Sequence, residues 1–179
     1  MKIMILSDSH SMNKTELLKL MKRHKVDYYI HCGDIYMTFD GLALDHFYNV
    51  RGNNDRPPIP KELTMVIDGL KFYIVHGHLF NVDFGIQELE TYAKENHIDI
   101  VCFGHTHNPT YIVKDNIIYI NPGSVTYPRG KYRGATYCLF DTQTKKVDFY
   151  DVKQNEICHP FYEKPKETFS IFHFFKKKK

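Results

Sequence analysis

Five times along this chain of 179 residues, a short apolar run stops at a cluster of Asp, Asn or His. Lys2 to Leu6 runs into Asp8-Ser9-His10, Asp27 to Cys32 into Gly33-Asp34, and Phe47 to Val50 into Gly52-Asn53-Asn54-Asp55. Lys71 to Val75 runs into His76-Gly77-His78, and Asp99 to Phe103 into Gly104-His105-Thr106-His107. Short runs rich in branched and aromatic residues, bounded by turn formers, predict strands. Between the first two, Lys14 to Lys25 carries Leu17, Leu18, Leu20 and Met21 at helical spacing. That makes a β-loop-α-β unit with parallel strands and a right-handed crossover. The carboxyl ends of parallel strands share one edge, and their loops converge on one crevice. The five polar clusters are therefore expected to meet in space.

The rest of the chain predicts a mixed α/β fold. Glu62 to Asp68 and Lys71 to Val75 read as a hairpin around Gly69-Leu70, and Ile86 to Asn96 as a helix. Beyond Tyr111, runs at Tyr111 to Lys114, Ile117 to Asn121, Ala135 to Asp141 and Lys145 to Val152 predict antiparallel strands. No repeat or flexible linker divides the sequence, which predicts one domain over residues 1–155. An aromatic and basic tail, 156–179, is expected to dock or to stay partly disordered, and its phenylalanines are a possible homodimer contact.

Composition narrows the function classes. No apolar run approaches the roughly 20 residues that span a bilayer, so no membrane association is expected. The amino-terminal run turns polar at Ser7-Asp8, too short for a secretory signal, and a cytoplasmic location is expected. Four lysines at 176–179 outweigh the whole net charge of +3, leaving no basic footprint for nucleic acid on the body. Cys32, Cys102, Cys138 and Cys158 form no C-x-x-C pair and read as reduced thiols.

The donor types point to a cation. Asp, Asn and His offer the oxygen and nitrogen ligands of manganese, iron, zinc or nickel, and no cysteine stands among them. Each cluster alone has a plainer reading: D-x-H as a helix cap, G-D as a turn, G-N-N-D as loop chemistry. Seven donors exceed what one four-coordinate structural zinc can use, whereas two bridged ions would use them all. His31 lies within a strand and reads as structural. His24, His46, His97, His159 and His173 fall outside the clusters.

Taken in order, D-x-H, G-D, G-N-x-D, H-G-H and G-H-T-H, followed by Asn121-Pro122-Gly123-Ser124, resemble the calcineurin-like metallophosphoesterases, in particular their small bacterial and archaeal phosphodiesterase branch. The resemblance spans roughly Met1 to Val152. It implies two packed mixed β-sheets flanked by helices, a four-layer αββα sandwich. It also implies two divalent ions per chain, manganese foremost with nickel, zinc or iron as alternatives. Asp8, His10 and His107 would hold one ion, Asn53, His76 and His105 the other, and Asp34 would bridge them. Gly104 would let the backbone turn close beside the ions. The implied activity is hydrolysis of a small phosphodiester by hydroxide bridging the two metals.

One position departs from larger relatives, where G-N-H-[DE] supplies a histidine thought to protonate the leaving group. Asn54 stands there and has no such proton to give; it is expected to contact a phosphoryl oxygen, with His78 the nearest acid by motif. Asn121 and Ser124 border the site or simply form the turn. The alternative is a scaffold of the same fold that binds a protein partner, as in a eukaryotic trafficking subunit that has lost ligands. No ligand position is lost here.

Overall fold

The computed structural model describes residues 1–37, 44–56, 58–153 and 156–157. Two sheets carry the fold. The first contains β1 (Lys2–Leu6), β2 (Tyr28–His31), β3 (Phe47–Asn49), β9 (Thr136–Asp141), β10 (Val147–Asp151) and β11 (Glu156–Ile157), in the order β11-β10-β9-β1-β2-β3. The second contains β4 (Glu62–Ile67), β5 (Leu70–Val75), β6 (Ile100–Cys102), β7 (Thr110–Lys114) and β8 (Ile117–Asn121), in the order β4-β5-β6-β8-β7.

Alternation along each central strand builds the layers. Ile3 and Ile5 of β1 share one core with Phe72 and Ile74 of β5, between the sheets. On the opposite face of β1, Met4 and Leu6 pack against Leu17, Leu20 and Met21 of α1 (Lys14–Met21). On the opposite face of β5, Tyr73 and Val75 pack with Leu89 and Ala93 of α2 (Gln87–Glu95). The result is the expected αββα sandwich. Cys32, Cys102 and Cys138 lie buried and unpaired by disulfides, with Cys32 and Cys102 facing the inter-sheet core that Cys138 also joins.

Two expectations need correction. The first helix ends at Met21 rather than Lys25. Asn13 and Glu16 start it with a reciprocal capping box, but Lys22 to Lys25 supply no apolar residue to hold another turn against the sheet. The second concerns β8, which was expected among antiparallel strands only. It pairs antiparallel with β7 yet parallel with β6, Ile100 opposite Ile118. Every residue of β8 is buried and every residue of β7 is half-buried, so the more apolar Ile117–Asn121 takes the inner position and leaves β7 at the edge. The turn at Asp115-Asn116, both at positive φ, reverses the chain between them.

This swap matters for the crevice. β1, β2 and β3 are mutually parallel, as are β5, β6 and β8. All six end in loops that carry the polar clusters, β8 contributing Asn121 to Ser124. The carboxy-terminal tail beyond 157, with its aromatics, Cys158, His159 and His173, lies outside the described residues. No helix among the described residues is long and apolar enough to cross a membrane.

Candidate metal centre

The loops are laced together by backbone before any side chain acts. Asp8 N–H donates to Gly33 carbonyl at 3.0 Å, and His10 N–H to Asp34 carbonyl at 3.0 Å. Asp55, the last residue of G-N-N-D, accepts the backbone N–H groups of Asp34, Ile35, Tyr36 and Gly52 at 2.8–2.9 Å. One carboxylate thereby clamps the loop after β2 to the loop after β3. Asp8, His10, Asp34, His105 and His107 all sit at positive φ, a conformation that non-glycine residues adopt at a cost. Five of the seven expected donors thus sit in this strained region. A Cβ on Gly104 would collide with Ser7 Oγ and crowd Asp8 Oδ2, so a glycine is what lets the backbone pass this close to the Asp8 carboxylate.

Around Asp8 the donor atoms crowd into a small volume. His107 Nε2 lies 3.1 Å and His10 Nε2 3.8 Å from Asp8 Oδ1, and the two Nε2 atoms are 3.2 Å apart. His76 Nε2 stands 3.9 Å from Asp8 Oδ1 and 3.5 Å from Asp34 Oδ2, and His10 Nε2 is 3.9 Å from Asp34 Oδ2. Two triads result, Asp8-His10-His107 and Asp8-Asp34-His76, each with its ligand atoms mutually within 4.8 Å. Asp8 Oδ2 accepts the His105 backbone N–H, but Asp8 Oδ1 is buried with no hydrogen-bond partner. A buried carboxylate oxygen left open toward three imidazole nitrogens fits a cation.

The histidines are oriented for the same purpose. His76 Nδ1 donates to Cys32 carbonyl at 2.7 Å and His107 Nδ1 to Tyr127 carbonyl at 2.6 Å, so each ring turns Nε2 into the crevice. Burial raises the Asp8 carboxyl, but the close His107 imidazole and the charges of His76 and His107 outweigh it and hold Asp8 below the usual carboxylate range. Burial likewise works against Asp34, and His76 and Asn54 overcome it to keep the carboxyl low. For His76, burial lowers the pKa while Asp34 and Asp8 more than reverse the effect. The site favours two anionic carboxylates with positive charge between them.

The second side is more open. Asn53 Oδ1 lies 3.1 Å from both His76 Nε2 and His105 Nδ1, bringing the three remaining expected ligands together. His105 Nε2 faces Asp83 Oδ2 at 2.9 Å. Asn54, expected at a phosphoryl oxygen, instead gives its side-chain amide to Asp34 Oδ2 at 2.6 Å and its backbone N–H to Asp34 Oδ1 at 2.9 Å. His78 begins a short 3-10 turn, His78–Phe80, with its ring centroid 5.4 Å from His76 and 6.1 Å from His105. Its buried Nδ1 has no hydrogen-bond partner, and burial followed by the charges of His76 and His105 lowers its pKa.

A sequence model of the calcineurin-like phosphoesterase superfamily domain matches residues 1–145. The chain belongs to that superfamily. A probable metallophosphoesterase of Bacillus subtilis, YsnB, is 35% identical over 88% of this chain and 95% of its own length. A phosphodiesterase of Methanocaldococcus jannaschii is 30% identical over 82% of this chain and 96% of its own. Among solved structures, a predicted phosphoesterase of Streptococcus pneumoniae superposes with a TM-score of 0.80 at 30% identity, covering 87% of this chain and 92% of that one. Vps29 of Entamoeba histolytica also shares the fold, with a TM-score of 0.72 at 19% identity over 89% of this chain and 97% of its own.

Within this calcineurin-like frame, several supports carried no assigned role in the sequence. Asp55 could have been found from its place at the end of G-N-N-D. Ser124 and Thr126 hydroxyls both donate to Asp8 carbonyl, at 2.8 and 2.9 Å, and Asn121 donates to Gly104 carbonyl at 2.8 Å. These residues do border the site, through backbone. Asp83 gave no signal in the sequence, and Tyr127 acts through a carbonyl that any residue carries. His31 is structural as expected: its Nδ1 accepts the Gly33 N–H at 3.2 Å, so Nε2–H donates to Ser9 Oγ at 3.1 Å.

Proposed function

We propose that this calcineurin-like protein is a metal-dependent phosphodiesterase that works with two divalent ions. The observation that carries the reading is the buried, unpartnered Asp8 Oδ1 surrounded by imidazole Nε2 atoms. Asp8, His10 and His107 would hold one ion, and Asn53, His76 and His105 the other. Asp34 would serve both, since its Oδ2 faces His10 Nε2 and His76 Nε2 at 3.9 and 3.5 Å. Manganese is the expected ion, and nickel, zinc and iron suit the same ligands. Bound ions supply Lewis acidity, activation of water and neutralisation of phosphoryl charge.

The protein's own part is positioning. The carbonyls of Cys32 and Tyr127 fix the tautomers of His76 and His107, and Asn54 locks both oxygens of Asp34. His78, the nearest acid by motif, has its ring centroid 5.4 Å from that of His76 and stands as the candidate acid. Asn54 supplies no acidic proton for a departing alkoxide, so diesters with aryl or other good leaving groups are the easiest substrates and alkyl monoesters the poorest. A phosphodiesterase name on an archaeal relative that shares 30% identity supports this class. The complete donor set favours catalysis over a purely scaffolding role.

The test is hydrolysis of bis-p-nitrophenyl phosphate by metal-stripped protein, with and without manganese, beside Asp34→Asn. Manganese is expected to restore turnover to the wild type. The variant should fall by more than about 100-fold, beyond the 10–100-fold typical of losing an outer-shell partner. Folded wild-type protein that stays inert with manganese would overturn the reading and leave the scaffold.

A further inference from the structure

Two exposed tyrosines flank the crevice, and the ring of neither has a place in the metal centre. Tyr36 is 56% exposed and Tyr127 51% exposed, an unusual position for large rings beside a polar site. Each packs against His10, with ring centroids 5.2 Å away for Tyr36 and 5.4 Å for Tyr127. His10 itself lines the Asp8 triad, so both rings border the place where a phosphoryl group would sit.

Specific bonds hold the backbone of Tyr36 and both ends of Tyr127. Tyr36 has φ of 57°, a conformation that a bulky L-residue rarely adopts, and its N–H is fixed by Asp55 Oδ1 at 2.8 Å. The fold spends backbone strain to present this ring rather than to bury it. Tyr127 is tied at both ends: its N–H donates to Ser124 Oγ at 2.8 Å and its phenol to Ser11 Oγ at 2.8 Å. A ring fixed in advance, as that of Tyr127 is, loses little freedom when a ligand stacks on it. Aromatic faces accept any planar π-system and are tolerant of its identity.

We propose that Tyr36 and Tyr127 form an aromatic subsite that takes the planar ring of a phosphoester's organic group, making ring-bearing diesters, aryl or nucleoside, the substrate class. This rests on the phosphodiesterase reading for its biological meaning, but the binding preference is measurable without turnover. Phenylphosphonate and methylphosphonate carry the same head group, differ in the ring, and cannot be hydrolysed at their carbon–phosphorus bond.

Calorimetric titration of both into manganese-loaded protein should give phenylphosphonate about tenfold tighter binding in the wild type, in line with stacking energies measured by alanine substitution. In Tyr36→Ala and Tyr127→Ala the phenyl-to-methyl ratio should fall toward unity, while Tyr36→Phe and Tyr127→Phe keep it. Taking the ratio cancels any general effect of the substitutions on the metals. Equal binding of the two phosphonates by the wild type, or a tenfold ratio that survives both alanine variants, would overturn the subsite. Turnover of bis-p-nitrophenyl phosphate is measured on the same samples. A ring preference without manganese-dependent turnover would uphold the subsite and reject the hydrolase reading.

Discussion

Asp8 and His107 are buried, with the His107 ring pinned by a backbone carbonyl, whereas His105 is partly open to solvent and leans on another side chain. Asp8 is fully buried and His107 is 5% exposed, with its ring set by the Tyr127 carbonyl. His105 is 22% exposed and its Nε2 is met by Asp83, itself 53% exposed. The first half is organised by folding, so an ion entering it costs little further ordering. In the second half a ligand at His105 would have to replace the His105–Asp83 contact or keep it as an outer support. On the proposed two-ion reading, the difference would make the ion beside Asp8 the more tightly held and the ion beside His105 the more readily exchanged, with Asp34 between them.

The comparison depends on the loops being clamped, and the largest expected effect comes from removing the clamp. Asp55→Ala strips the acceptor from four backbone N–H groups and should cost roughly 3 kcal/mol or more in urea unfolding. A loss below about 1 kcal/mol would mean that the two loops are held by something else. Next comes a direct contrast of the halves. His107→Ala should weaken manganese retention against a chelator by about 100-fold, and His105→Ala by about tenfold, bracketing the range expected near a metal. Equal losses would erase the distinction.

A smaller effect sharpens the account of the buried side. His31 is held neutral by burial, its pKa lowered to about 4 from 6.5, and only the neutral ring accepts the Gly33 N–H. A base whose folded pKa lies below its unfolded value stabilises the fold fully above pH 6.5 and loses that contribution as pH falls toward 4. The ceiling is about 3 kcal/mol, and roughly 2 is expected once the folded state relaxes around the charge. Metal-free His31→Gln should therefore show a shallower stability loss than the wild type between pH 6.5 and 4. Parallel pH profiles would remove His31 from the acid response.

Much of this was legible before any fold was known, for a physical reason. Metal donors must be side chains of particular types, and strand ends must be turn-like, so Asp8, His10, Asp34, Asn53, His76, His105 and His107 could be picked out together as candidates, and the fold does bring them into one crevice. The supports were harder to see. Tyr127 and Cys32 act through carbonyls common to every residue, and Asp83 is one carboxylate in an irregular loop. Asn54 was visible, but its target was not: the choice between Asp34 and a phosphoryl oxygen depends on loop geometry. The position of β8 between β6 and β7 escaped for another reason, because competition for the buried place in a sheet is decided by all strands at once.

The most direct test of the central claim is a crystal structure of the manganese-loaded protein with anomalous differences measured at the manganese edge. The account predicts two peaks in the crevice, one contacted by Asp8, His10 and His107 and the other by Asn53, His76 and His105, with Asp34 reaching both. A single peak, or peaks that leave Asp8 Oδ1 without a metal neighbour, would contradict it.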